Sequence, residues 1–166
     1  MTFYAHENLV LVVDGENTWH TARALDLDID WGKLRDLFAR QATLTGAYYF
    51  TPMYEQEDGF APVKRLVDWL DFNGWQTWTD GRDVSADMAT AVMEMARNGA
   101  EHFVIASGNA TFAELVAALK RQNKVVTILS ALPQCSEDLR RAADAFLDLS
   151  TIRNYISRAK KETVAA

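Results

Sequence analysis

Short aliphatic runs alternate along this chain with longer stretches whose apolar residues recur at helical spacing. The runs at 9–13, 47–50, 75–78, 102–106 and 125–129 predict strands, with a short last strand at 146–149. Helices are predicted over about 17–25, 60–72, 85–96 and 111–122. Asp30 reads as the N-cap of a further helix that carries Trp31, Leu34, Leu37 and Phe38 at core spacing. Ser136-Glu137-Asp138-Leu139 opens a short helix, Asn73-Gly74 stops another, and Asp80-Gly81-Arg82-Asp83 is a turn. Met88, Val92, Met93 and Met95 read as core filling. This alternation predicts one Rossmann-like α/β domain, a parallel sheet of order 3-2-1-4-5 with helices on both faces.

The first strand is the most informative. Leu9-Val10-Leu11-Val12-Val13 reads as a fully buried parallel strand that stops at Asp14-Gly15-Glu16-Asn17. In an open α/β sheet, ligands bind outside the carboxyl ends of the strands, where the winding reverses. In the predicted order the first and fourth strands flank that point. Asp14 and the loop Ser107-Gly108-Asn109, which follows Phe103-Val104-Ile105-Ala106, therefore face one crevice. Asp144 can join from the last segment.

A carboxylate at such a place suggests metal or phosphate chemistry, since Mg²⁺ and Mn²⁺ require several charged oxygen ligands. Glu16 either reaches the crevice or favours the first helical turn through the helix dipole. Asp83 and Asp87 share one helical face, as a solvated pair or as site acids. Glu114 and His20 read as surface groups before ligands or bases. Asn17 either caps the first helix or orients an acid or phosphate, and Trp78 and Tyr49 either stack a base or fill the core.

Composition narrows the classes. At 166 residues, 49% hydrophobic and 24% charged, the chain suits one domain with a sizeable core. No apolar run is long enough to cross a bilayer and no signal peptide is evident, so a membrane partner is not expected. Cys135 is the sole cysteine, which points to a reducing cytoplasm. A net charge of −6 argues against a general nucleic-acid-coating protein. Basic residues nevertheless group late: Lys120, Arg121 and Lys124, then Arg153, Arg158, Lys160 and Lys161, read as a solvated face and frayed tail or as a phosphate-tracking patch.

Five segments together resemble the NYN family, PIN-like domains related to metal-dependent ribonucleases, and within it the bacterial LabA-like group. They are Val13-Asp14-Gly15-Glu16-Asn17, Leu66-Val67-Asp68-Trp69-Leu70 before Asn73-Gly74, Met93-Glu94-Met95-Ala96, Ser107-Gly108-Asn109-Ala110-Thr111-Phe112, and Leu139-Arg140-Arg141-Ala142-Ala143-Asp144 with Phe146. The resemblance implies a domain over residues 1–150, with residues 151–166 a C-terminal helix and basic tail. It implies acids after the first strand, on the helix before the fourth, and twice in the loop after the fourth. Asp14 matches the first and Asp144 an acid near the end. Asn109 and Thr111 stand where two acids are expected, and Ser85 and Ala91 where helix acids are usual. The basic segment before that helix shortens to Gly81-Arg82.

On this resemblance Asp14, Asn109 and Thr111 are the catalytic positions. Asp14, Glu16, Asp87 and Asp144 are the metal candidates, and Asn17, Arg82, Ser107 and Lys124 the RNA contacts. Without the two loop charges, Mg²⁺ or Mn²⁺ binding is expected to be weak. The expected function is in RNA metabolism or regulation, with catalysis weak or lost. The alternatives are a pseudonuclease that binds RNA, a protein partner or a second copy, and a haloacid-dehalogenase-like phosphatase. In the phosphatase, Asp14 is the nucleophile, Glu16 the second acid, Ser107 the phosphate hydroxyl, Lys124 the cation, and Asp144 with Asp148 the metal acids.

Overall fold

A computed structural model describes residues 3–53, 61–80 and 83–159. The strands are β1 (Asn8–Asp14), β2 (Thr43–Phe50), β3 (Gln76–Trp78), β4 (His102–Ala106), β5 (Val125–Ser130) and β6 (Ala145–Asp148). The helices are α1 (Gly15–Ala24), α2 (Trp31–Ala39), α3 (Ala61–Phe72), α4 (Val84–Arg97), α5 (Ala113–Arg121), α6 (Glu137–Ala142) and α7 (Arg153–Ile156). All strands are parallel, in the order β3-β2-β1-β4-β5-β6. The expected order is therefore present, and β6 extends it by one strand beyond β5.

The aliphatic run of β1 is continuous because both faces of this central strand are covered. Leu9, Leu11 and Val13 point into a cluster with Leu34 and Phe38 of α2, Leu70 of α3 and Ile156 of α7. Val10 and Val12 point the other way, onto Met88 and Val92 of α4, Val116 and Leu119 of α5, and Leu139 of α6. Alternation of side chains along a strand thus assigns α1, α2, α3 and α7 to one face and α4, α5 and α6 to the other. Met88 and Val92 are core residues, as the sequence pattern required.

Short polar residues set the helix starts by accepting from otherwise unpaired amides. Asp30 Oδ1 accepts from the Lys33 amide at 3.0 Å, and Asp83 Oδ1 from the Ala86 amide at 3.1 Å. Ser136 opens α6 in the same way. Helix α1 begins at Gly15 rather than near residue 17, because Asp14 and not Asn17 is its N-cap. The segment expected as one helix from 111 begins instead with a 3-10 turn, Ala110–Phe112, before α5. Gly74 closes α3 at φ +84°, a left-handed conformation that only glycine enters without strain.

At the amino-terminal end of the sheet, three polar side chains are buried together. His102 Nδ1 lies 3.0 Å from Glu7 Oε2, and His102 Nε2 lies 2.7 Å from Thr127 Oγ1. The imidazole pins the segment before β1 to β4 and β5. Replacing His102→Leu should cost on the order of 3 kcal/mol, because the Glu7 carboxylate is then buried without its partner. The double change Glu7→Leu with His102→Leu should recover part of that loss. Urea denaturation measures both, and a single variant as stable as the native chain would refute the pairing.

Candidate functional site

Asp14 ends β1 one residue beyond the Val13–Ala106 pairing, at the carboxyl edge of the sheet. The residue is only 7% exposed and both carboxylate oxygens are engaged. Oδ1 accepts from the Asn17 amide at 3.4 Å, and Oδ2 accepts from the Ser107 hydroxyl at 3.0 Å. Burial raises the Asp14 pKa above its ordinary value; the Ser107 and Asn17 hydrogen bonds oppose that rise, and the nearby Glu16 charge adds to it. The ring of Tyr49 lies beneath Gly15, where a Cβ would come within 2.6 Å of Tyr49 Cε1. Burial, then the Asp14 and Glu16 charges, push the Tyr49 phenol well above its usual range.

The loop after β4 closes onto this carboxylate. Ser107 Oγ, while donating to Asp14, accepts from the Asn109 amide at 3.1 Å. One hydroxyl thus links Asp14 to Asn109, the two positions that the topology assigned to one crevice. The Gly108 amide donates to Asn17 Oδ1 at 2.9 Å, and its carbonyl accepts from the Ser136 amide at 2.9 Å. A Cβ on Gly108 would collide with the Gln134 carbonyl and stand 2.9 Å from Ser130 Oγ. Asn109 Oδ1 accepts from the Thr111 amide at 3.0 Å and the Thr111 hydroxyl at 2.7 Å. Its side chain therefore caps its own turn.

The structure thus gathers Asp14, Asn17, Ser107, Asn109 and Thr111 into one hydrogen-bonded loop cluster. Glu16 is exposed in the first turn of α1, close enough to perturb Asp14 and Tyr49. Asp87 lies half-buried in the first turn of α4, whose start follows the carboxyl end of β3. Asp83 is occupied as the cap of that helix, and Ala91 is packed in the core beneath it. His20 and Glu114 are exposed. Tyr49 is a core residue, whereas Trp78 stacks on Phe50 with half its surface open. Arg82 lies outside the described residues.

Two expected members are elsewhere. Asp144 Oδ2 accepts from the Val126 amide at 2.8 Å, near the start of β5, and Lys124 immediately precedes that strand. Asp14 is level with the far end of β5, roughly 13 Å along the strand direction. Asp144 is also three strands across. Parallel pairing places these residues at the amino-terminal edge, so neither Asp144 as a ligand beside Asp14 nor Lys124 as a crevice contact fits. The same separation removes the phosphatase arrangement. Asp148 sits at the carboxyl end of β6, where it accepts from the Leu132 and Ser150 amides.

NYN and PIN-like nuclease domains generally depend on divalent metals. The donor set here does not fit such an ion. Asp14 is one buried carboxylate with both oxygens engaged, and Asn109 offers an uncharged oxygen already engaged by Thr111. Among the described residues, no three His, Cys, Asp or Glu side chains gather to hold a metal. What the crevice offers is a fixed pattern of amides and hydroxyls around one buried acid.

Because its folded pKa is raised, Asp14 keeps its proton to higher pH in the folded chain than in the unfolded one. Its ionisation therefore lowers stability as the pH rises from about the ordinary value of 3.8 through the folded value. Asp14→Asn retains a capping oxygen but cannot ionise. Its stability relative to the native chain should improve between pH 3 and pH 7, read from urea midpoints. Parallel pH profiles would contradict the buried, ionisable carboxylate.

The NYN domain family model matches residues 8–150. The low amplitude and bright protein LabA of Synechococcus elongatus is 20% identical, over 92% of this chain and 89% of its own length. A crystal structure of a protein of unknown function from Vibrio parahaemolyticus is similar at a TM-score of 0.77 and 17% identity, covering 94% of this chain and 99% of that one. That likeness shows a shared fold. By the match across its β1 to β6 region, this chain belongs to the NYN domain family.

Proposed function

We propose that this chain acts in RNA metabolism or regulation as an RNA-binding member of its family, with little or no metal-dependent cleavage. The observation that carries this reading is the closed Asp14–Ser107–Asn109–Thr111 network. Asp14 is bonded to the Ser107 hydroxyl, which accepts from the Asn109 backbone amide, and the Asn109 side-chain oxygen is taken up by Thr111, so these groups are engaged within the loop and not with a cation. Removing two charges from a dication site removes most of its attraction, and neutral oxygens do not replace it. NYN domains typically bind RNA, and that capacity does not require cleavage. We place the protein in the cytoplasm on its single, half-buried cysteine. A homodimer is the second reading, favoured by the 90% exposure of Phe72 beside the short edge strand β3.

Incubation with single-stranded RNA in Mg²⁺ or Mn²⁺ should give little or no cleavage while binding is retained. Robust cleavage that disappears in Asp14→Ala would overturn the reading. A second outcome concerns the double change Asn109→Asp with Thr111→Asp. Two added carboxylates should repel Asp14 and lower the melting temperature in chelator. Added Mn²⁺ should restore it, because a ligand that binds only the folded state stabilises that state. No metal-dependent shift would mean that these positions do not converge on a shared site.

A further inference from the structure

On the face covered by α1, α2, α3 and α7, the helices leave a cleft of about 980 Å³. A second hollow of about 440 Å³ adjoins it, with Trp31, Leu66 and Arg158 lining both, and the pair makes a two-part trough. Its floor is Trp31, packed edge-on against Tyr49 and Trp75. Its walls carry Trp19, 51% exposed, and Trp69, 42% exposed. Each of these lies four residues from an arginine on its own helix, Arg23 in α1 and Arg65 in α3, so each pair shares a helical face. The Arg23 guanidinium already stands 5.1 Å from the Trp19 ring centroid.

The charge of the trough differs from that of the chain. Four arginines line it (23, 65, 153 and 158) against three aspartates (26, 28 and 30), in a protein of net charge −6. Arg158 pairs with Asp28 at 3.5 Å, and Arg153 donates to the Leu25 and Asp26 carbonyls. Asp30 is occupied as the α2 cap. Arg23 and Arg65 have no acidic partner among the described residues. The trough thus presents two half-open indoles and two guanidiniums without an acidic partner among the described residues, one of which, Arg23, lies over the Trp19 ring.

We propose that this trough binds single-stranded RNA, with bases stacked on Trp19 and Trp69 and phosphates met by Arg23 and Arg65. The choice of polymer rests on the RNA-binding reading above. Indole faces accept any base, and the guanidiniums supply the phosphate contacts between them. A single strand fits because duplex bases are already stacked on one another and cannot lie against a side chain. A docked amphipathic helix would want a contiguous aliphatic floor. Here the aliphatic lining (Leu27, Ile29 and Leu66) is interrupted by three indoles and by charged side chains of both signs.

The test is fluorescence anisotropy of a labelled single-stranded oligouridine with the full chain. Trp19→Ala and Trp69→Ala should each weaken binding about tenfold. Trp19→Phe should recover part of the loss, and Arg65→Gln should lower the salt slope by about 1. The substituted positions are exposed, and circular dichroism melts confirm that each variant folds. Binding by the native chain that is unchanged in both tryptophan variants would overturn the trough and leave the RNA reading standing. No binding by the native chain would overturn both. Tighter binding of duplex RNA, or of polyglutamate with the same tryptophan dependence, would also overturn the proposal, the latter in favour of an acidic protein partner.

Discussion

Gly108 stands where three parts of the chain approach more closely than any side chain would allow. Its amide holds Asn17 in α1, and its carbonyl holds the Ser136 amide at the start of α6. The space a Cβ would fill is taken by the Gln134 carbonyl and the Ser130 hydroxyl. Only hydrogen at this Cα lets β4 end between the segments that follow β1 and β5. The residues on either side inherit their orientation from that clamp. Ser107 is turned so that its hydroxyl meets Asp14, and Asn109 is turned back over its own 3-10 turn. The crevice is thus organised by backbone contacts, with side chains completing it.

Its chemistry follows from how those side chains are satisfied. Burial favours a neutral Asp14, and the donors around it, which favour the charged form, offset part of that preference. A dication would need those oxygens free and accompanied by further charge. Here the Asp14 oxygens, the Ser107 hydroxyl and the Asn17 and Asn109 side-chain oxygens instead have partners within the loop cluster, an arrangement that rigidifies the carboxyl edge of the sheet. Recognition of a polar ligand by amides, hydroxyls and one acid remains within its means.

The two faces of the sheet are finished differently. The α4, α5 and α6 side closes over its core, whereas α7, a single turn, covers only part of the opposite side. What α7 leaves open is the trough floored by Trp31. The exposed tryptophans on its walls are held by helices whose other faces are buried in the core. A rigid platform of this kind presents its aromatic surface without the entropy loss of ordering a loop.

The alternating pattern by itself determined the element order, the all-parallel sheet and the placement of Asp14 and the Ser107 loop on one crevice. A five-residue aliphatic run can be continuous only in a strand covered on both faces, and parallel connections force the strand ends that follow it to one edge. Helix boundaries near Asp30, Asn73-Gly74 and Ser136 were equally legible, since their capping chemistry is local. Which acids share a site was not local. Asp144 and Lys124 are polar residues beside predicted strands, as Asp14 is, yet they lie at the opposite edge because they precede their strands. The Trp19–Arg23 and Arg65–Trp69 spacings were visible in the sequence. Only the docking of α1, α3 and α7 on the same face of the sheet brought them to one trough, because the contacts that align separate helices are made across the sheet and not along the chain.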